Sequence, residues 1–161
     1  MAATRLARPA DLDLAVDVWC RANVARGKVP GPDRIDRVYA KLADPTALTI
    51  VAVQDDDIVG MALAEPGREH DSTGALFPEL CHLSMLFVDP RHWGERIGQD
   101  LLDAVGETAV HCGHTQLQVW TGRHNHRALR LYQRAGFQPS GRTERLDTGE
   151  PVIHLARILA G

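Results

Sequence analysis

The chain reads as one α/β (α+β) domain in which helices flank a mixed central sheet in the order βααβββαβαββ. Three features point there. β-Branched runs alternate with apolar stripes at three-and-four spacing. Leu80 to Val88 is almost unbroken apolar sequence, as expected of a central strand covered on both faces. No repeat, low-complexity segment or linker divides residues 1–161, and 161 residues suffice for a single core.

Thr4 to Ala7 predicts a short strand ended by Pro9, after which Asp11 is placed to cap a helix striped by Ala15, Val18, Trp19 and Ala22. Gly27, Pro30, Gly31 and Pro32 break the chain before a second helical stripe, Ile35, Val38, Tyr39 and Leu42, which stops near Pro45. Leu48–Val53 and Ile58–Ala64 are β-branched runs joined through Gln54 and Asp55 to Asp57, which predicts a hairpin. Pro66–Pro78 has few periodic apolar positions and is expected to be a long functional loop. The apolar run that follows ends at Asp89-Pro90. Ile97, Leu101, Leu102, Val105 and Ala109 then mark a helix stopped by Gly113, and Leu117–Thr121 a strand. Ala128, Leu131, Tyr132 and Ala135 mark the last helix, closed at Gly136, before two strand-like runs, Phe137–Arg145 and Val152–Leu159.

Composition narrows the function classes. The net charge of −3 and pI near 6.2 exclude binding to nucleic acid or anionic membrane by bulk electrostatics. Three cysteines, Cys20, Cys81 and Cys112, fit neither a disulfide framework nor a zinc ribbon and suit a reducing compartment, so a cytoplasmic location is expected. Charged residues interrupt the N-terminal segment before any signal-like run develops, and the longest strongly apolar run, Ala47–Val53, falls far short of the roughly 18 residues of a membrane span. His111, Cys112 and His114, and His124 and His126, are too compact for zinc spacing, so no metal is expected. Arg127, Arg130 and Arg134 share a helix face that reads as solvated rather than as an RNA contact.

Two segments carry chemistry. In Leu86-Phe87-Val88-Asp89-Pro90-Arg91-His92-Trp93-Gly94-Glu95-Arg96-Ile97-Gly98 a strand runs through a tight turn onto a helix. The first amides of that helix lack intrahelical partners and, with the positive end of the helix dipole, suit an anion such as a phosphate. Gly94 and Gly98 allow close approach to the backbone. An ordinary strand-turn-helix connection with incidental glycines would look the same. The second segment is Asn125-His126-Arg127-Ala128-Leu129-Arg130-Leu131-Tyr132-Gln133-Arg134-Ala135-Gly136-Phe137.

Together the segments resemble the GNAT N-acetyltransferase superfamily, and through the element order the resemblance covers nearly the whole chain. The second segment matches the family pattern N-x-x-A-x-x-x-Y-x-x-x-G-F at every specified position. The first matches R/Q-x-x-G-x-G/A less closely, with Trp93 at the Arg/Gln position, Arg96 at the middle glycine and Gly98 in place. The resemblance implies acetyl-CoA as cosubstrate, its pyrophosphate on the backbone amides of Trp93, Gly94, Glu95, Arg96, Ile97 and Gly98. It further implies pantetheine lying beside the fourth strand at Phe87 and Val88, and the Leu86 N–H as oxyanion donor. Asn125 would bind the pantetheine arm or hold the strand end, with Arg91 and Arg96 as partners for the nucleotide phosphates.

Tyr132 is the candidate acid. The departing thiolate needs a proton, and a phenol of ordinary pKa about 10 keeps its proton at neutral pH. Its place on the apolar stripe of its helix also suits a core tyrosine. The amine must be neutral to attack, which only about one in a thousand amines of pKa about 10 is at pH 7, so a base is useful. His82 is the candidate. It lies on the fourth strand where some family members carry Glu or His, with Ser84 on the same face. Glu79, Glu69, Asp71 or water are alternatives, and a purely structural histidine is another. Trp120 suits an acceptor-pocket wall or core.

The expected activity is transfer of acetyl from acetyl-CoA to a primary amine, of a small molecule, by direct attack in a ternary complex. Cys81 has no evident activating partner in sequence, so no covalent intermediate is needed. Loops at 27–33, 67–79 and 145–151 would shape the acceptor site. A protein N-terminal or lysine acetyltransferase and a non-catalytic acyl-CoA-binding sensor are the alternatives. A homodimer is left open. No G-x-G-x-x-G follows the first strand, which argues against a Rossmann nucleotide binder.

Overall fold

The computed structural model describes residues 2–68 and 74–159. Strands β1 (Ala3–Leu6), β2 (Leu48–Gln54), β3 (Asp57–Arg68), β4 (Leu76–Val88), β5 (Gln116–Gly122), β6 (Gln138–Arg145) and β7 (Pro151–Ile158) alternate with helices. These are α1 (Leu12–Ala25), α2 (Pro32–Ala43), α3 (Ile97–His111) and α4 (His126–Arg134), with short 3-10 turns at Pro9–Asp11 and Pro90–His92. The element order is the expected one. Seven strands form one sheet in the order β1-β2-β3-β4-β5-β7-β6. By packing, the chain divides into two compact units, Met1–Glu65 with Met85–Val105 and Pro66–Ser84 with Gly106–Gly161. No helix among the described residues is long and apolar enough to cross a membrane.

In the first unit β1, β2 and β3 form an antiparallel meander. The β2–β3 turn holds Asp55 and Asp56 at φ 51° and 67°, the two left-handed residues of a tight hairpin turn. The apolar stripe of α1 does what its spacing predicts: Ala15, Val18, Trp19 and Ala22 are buried, and Val38 and Leu42 of α2 join the same core. Asp11, expected to cap α1, makes no such cap. Its carboxylate instead takes a 2.7 Å bond from the Arg8 amide and bonds the Arg5 guanidinium, because its backbone is already helical and a side chain so placed reaches back into the preceding turn.

In the second unit β4 pairs with β5 in parallel, and β5, β7 and β6 follow antiparallel. Two expectations are corrected. Within the irregular segment expected over Pro66–Pro78, Pro66, Gly67 and Arg68 belong to β3 and Leu76, Phe77 and Pro78 to β4, while 69–73 lie outside the described residues. β4 is also not covered on both faces: Cys81, Leu83 and Met85 are buried, whereas His82, Ser84 and Leu86 alternate with them and stay half-buried. An apolar run reports composition, not coverage, so Leu86 sits on the wetter face despite its side chain.

Candidate active site

The first unit carries the strand end and loop. Val88 leads into Asp89, whose carboxylate is fully buried and held from two elements. The Arg91 backbone N–H, Nε and Nη2 donate to it at 3.0, 3.2 and 2.8 Å. Arg21 Nη2, on α1, stands 3.0 Å away. Hydrogen bonding from Arg91, with the nearby charge of Arg21, brings the Asp89 carboxyl down to about 2, against the opposing effect of burial. The Asp89 N–H donates to the Val59 carbonyl at 2.8 Å. Val59 is the added residue of a bulge in β3, since Ala52 pairs with Gly60 and Val53 with Ile58. Asp89 therefore fixes the course of the chain where β4 ends.

Arg91, expected on nucleotide phosphates, turns two guanidinium nitrogens onto this carboxylate. Trp93, at the position that departs from the family pattern, donates its indole N–H to the Val88 carbonyl at 2.9 Å. Arg96 stands where the pattern has glycine, yet its φ is 65°, the left-handed conformation glycine adopts without strain. The backbone path survives the substitution. Gly94 is also left-handed, at φ 87°, and a Cβ added there would meet no atom within 4 Å among the described residues. The Asp100 amide bonds to the Arg96 carbonyl, so the amides of Ile97, Gly98 and Gln99, ahead of it in the first turn of α3, have no backbone acceptor among the described residues. Ile97 is buried and anchors that turn, while Trp93, Glu95 and Arg96 are exposed and Gly98 is half-buried. An open, left-handed loop ending in unpaired amides fits the phosphates of a coenzyme. On the strand itself Leu86, Phe87 and Val88 are half-buried, and the guanidinium of Arg26 lies 5.3 Å over the Phe87 ring.

The second unit carries the proton-transfer candidates. Asn125 caps α4, its side-chain oxygen accepting from the Ala128 amide at 3.2 Å, and its own amide donates to the Gly122 carbonyl at the end of β5. It thus joins strand to helix. Tyr132 lies two turns on, 6 % exposed, its ring edge-on to Phe137 at 5.4 Å. The helix closes on Gly136 at φ 91°, and the Phe137 amide returns to the Tyr132 carbonyl at 3.0 Å, which holds Phe137 at the end of the helix that carries Tyr132.

His82 stands on the wetter face of β4 and its Nδ1 lies 3.2 Å from Gln118 Nε2, the residue across from it on β5. Gln118 Oε1 is 2.8 Å from His154 Nε2 on β7, and His154 Nδ1 is 2.7 Å from Ser140 Oγ on β6. Gln118 and His154 are both buried. None of the three partners emerges from sequence reading; Gln118 and His154 are polar residues within apolar strands, and Ser140 lies in a polar one. Glu79 is exposed at the start of β4, and Glu69 and Asp71 lie outside the described residues. Cys81 is on the opposite, buried face of β4 from His82. Trp120 is half-buried, with its ring 5.0 Å from His154 and the Arg142 guanidinium 5.2 Å over it.

Comparison with known proteins agrees with this equipment. The sequence profile of the acetyltransferase (GNAT) family matches residues 15–137. The fold is similar to that of the ribosomal-protein-S18-alanine N-acetyltransferase from Escherichia coli, with a TM-score of 0.79 at 19 % identity over 100 % of this chain and 96 % of that one. It is similar to an aminoglycoside 6′-acetyltransferase type Ii, at TM-score 0.79 and 18 % identity over 99 % and 98 % of the two chains. An aminoglycoside 6′-N-acetyltransferase complexed with coenzyme A matches at TM-score 0.77 and 15 % identity over 99 % and 98 %. Comparison with curated proteins gives no significant sequence match. With most of its length matched by the family profile, the chain belongs to the GNAT acetyltransferases, enzymes whose cosubstrate is acetyl-CoA.

Proposed function

We propose that the protein transfers acetyl from acetyl-CoA directly to a primary amine of a small molecule in a ternary complex, acting as a single catalytic domain. The observation that carries this reading is Tyr132, a buried phenol on a capped helix with its ring held against Phe137. The amine nitrogen attacks the thioester carbonyl, the new C–N bond forms and the C–S bond breaks. Tyr132 gives its proton to the departing thiolate, and His82 takes the proton shed by the amine. The Leu86 N–H is the donor to the developing oxyanion, and backbone amides from Gly94 to Gly98 take the pyrophosphate, the Trp93 amide being turned instead onto the Pro90 carbonyl at 3.3 Å. Phe87 and Val88 offer backbone to pantetheine. Asn125 acts by holding α4 to β5. Arg96, exposed beside the amides, is a further phosphate partner; Arg91 contributes by bracing the loop through Asp89.

A small cationic amine suits a chain of net charge −3, and the aminoglycoside enzymes that share the fold take such substrates. The ribosomal-protein enzyme shares it equally well, so a protein N-terminus is the second reading. Cys20, Cys81 and Cys112 form no disulfide among the described residues, which suits a reducing, cytoplasmic setting. Tyr132→Phe keeps the ring on Phe137 and removes the acidic hydroxyl. It should lower kcat by about 100-fold with little change in acetyl-CoA affinity, measured on an amine that a CoA-release screen selects. Unchanged turnover would remove Tyr132 from the mechanism. Calorimetric binding of acetyl-CoA with no turnover on any small amine or peptide would instead identify a sensor domain.

A further inference from the structure

The chain His82–Gln118–His154–Ser140 crosses four strands, and each of its links is a hydrogen bond between side chains. Its outer end is built. β6 bulges opposite His154, since Pro139 pairs with Leu155 and Thr143 with Ile153, and Gly141 at φ 92° makes the detour. The Arg142 amide donates to Ser140 Oγ at 3.2 Å and aims that hydroxyl at His154.

The donor and acceptor inventory allows two arrangements with the same heavy-atom positions. In one, Gln118 Nε2 donates to His82 Nδ1, so His82 carries its proton on Nε2; His154 then donates from Nε2 to Gln118 Oε1 and accepts from Ser140 at Nδ1. In the other, the Gln118 amide is turned over. His82 then donates from Nδ1 to Oε1, Gln118 donates to His154 Nε2, and His154 donates from Nδ1 to Ser140 Oγ. The two neutral rings therefore always share one tautomer.

We propose that Gln118, His154 and Ser140 are positioning residues that set the tautomer of His82, and that the turned arrangement is the working one. This rests on the reading of His82 as the base. Only the turned arrangement puts the His82 lone pair on Nε2, the nitrogen away from Gln118. When Nε2 takes the amine's proton the ring becomes an imidazolium with two N–H donors, and Gln118 Oε1 is the acceptor for the second. The proton is returned to water before the next turnover. His154 matters because a neutral imidazole between Gln118 and a hydroxyl can reverse both of its bonds, so the buried amide turns without leaving a polar group unsatisfied.

Nitrogen-15 NMR of the labelled wild-type protein, above the titration of both rings, reads the two tautomers directly and needs no variant. His82 and His154 should both be Nδ1–H or both Nε2–H, with acetyl-CoA and amine product shifting them together to Nδ1–H. Opposite tautomers in the two rings would overturn the proposal. Gln118→Leu should lower kcat about tenfold, as removal of an orienting partner does for other working histidines, while KM for acetyl-CoA is unchanged. Gln118→Glu, which keeps an acceptor for Nδ1–H, should recover part of that loss. Equal loss in both variants would reduce Gln118 to a structural role. If the rings share a tautomer but His82→Gln retains the wild-type pH profile, the chain stands and the assignment of His82 as base falls.

Discussion

The indole N–H of Trp93 donates to the carbonyl of Val88 at 2.9 Å, tying the loop before α3 to the last residue of β4. A side chain that departs from the family pattern thus performs a bracing task there. Trp93→Phe keeps an aromatic side chain and removes the donor, and should raise KM for acetyl-CoA by about fivefold, the worth of one net hydrogen bond. Trp93→Gln, which restores an N–H donor, should lie between the two. Equal KM in all three, from initial rates at saturating amine, would show that the bond does not shape the loop.

Arg96 holds φ 65° without being glycine. A left-handed conformation costs an L-residue about 1–2 kcal/mol, and glycine returns about 0.5–1 kcal/mol of that in unfolded-chain entropy. Arg96→Gly should therefore raise stability by about 0.5–1 kcal/mol, read by urea unfolding. The same variant should weaken acetyl-CoA binding in low salt more than in high salt, because a charge near phosphate is screened. Salt-independent loss of affinity would exclude Arg96 as a phosphate partner.

Asp89 and Asp11 each stay ionised down to about pH 2, held by Arg91 and Arg21 in one case and by Arg5 and the Arg8 amide in the other. A carboxyl whose folded value lies below its unfolded value of about 4 stabilises the fold fully above that value and loses the contribution as pH falls through the folded one. Acid sensitivity should thus appear between about pH 4 and about pH 2. Asp89→Asn should cost on the order of 3 kcal/mol at pH 7, and the gap from wild type should shrink across that window. A gap that stays constant down to pH 2 would mean that the Asp89 charge contributes nothing.

As the base, His82 must be neutral to act, so kcat should fall as pH drops and the ring takes up a proton. His82→Gln should remove that acid limb while leaving a slower, flatter profile carried by water. Persistence of the limb in the variant assigns it to another group, of which Glu79, exposed on the same strand, is the first to test.

Much of this was legible along the chain because the relevant signals are local. A stripe at three-and-four spacing buries one side of a helix whatever else is nearby, which is why Ala15, Val18 and Trp19 of α1 and Val105 and Ala109 of α3 are core. The segment from Asn125 to Phe137 is likewise local: cap, helix and closing glycine lie within one stretch, and Tyr132 is placed by its own helix. Asp11 departs from expectation because the same side chain can cap forward or backward, and the backbone conformation of the turn decides between them.

The sequence by itself determined the element order, the strand-turn-helix loop before α3 and the candidates for proton transfer, since each depends on residues near one another in the chain. Tertiary structure alone decided which face of β4 stays wet and that Arg91 serves Asp89. It also decided that a glutamine and a histidine, each 36 positions from its partner, stand in line behind His82. The physical reason is register. Strand pairing brings distant polar side chains onto one face of a sheet, where burial obliges them to bond to one another, and no local pattern encodes which residues will meet.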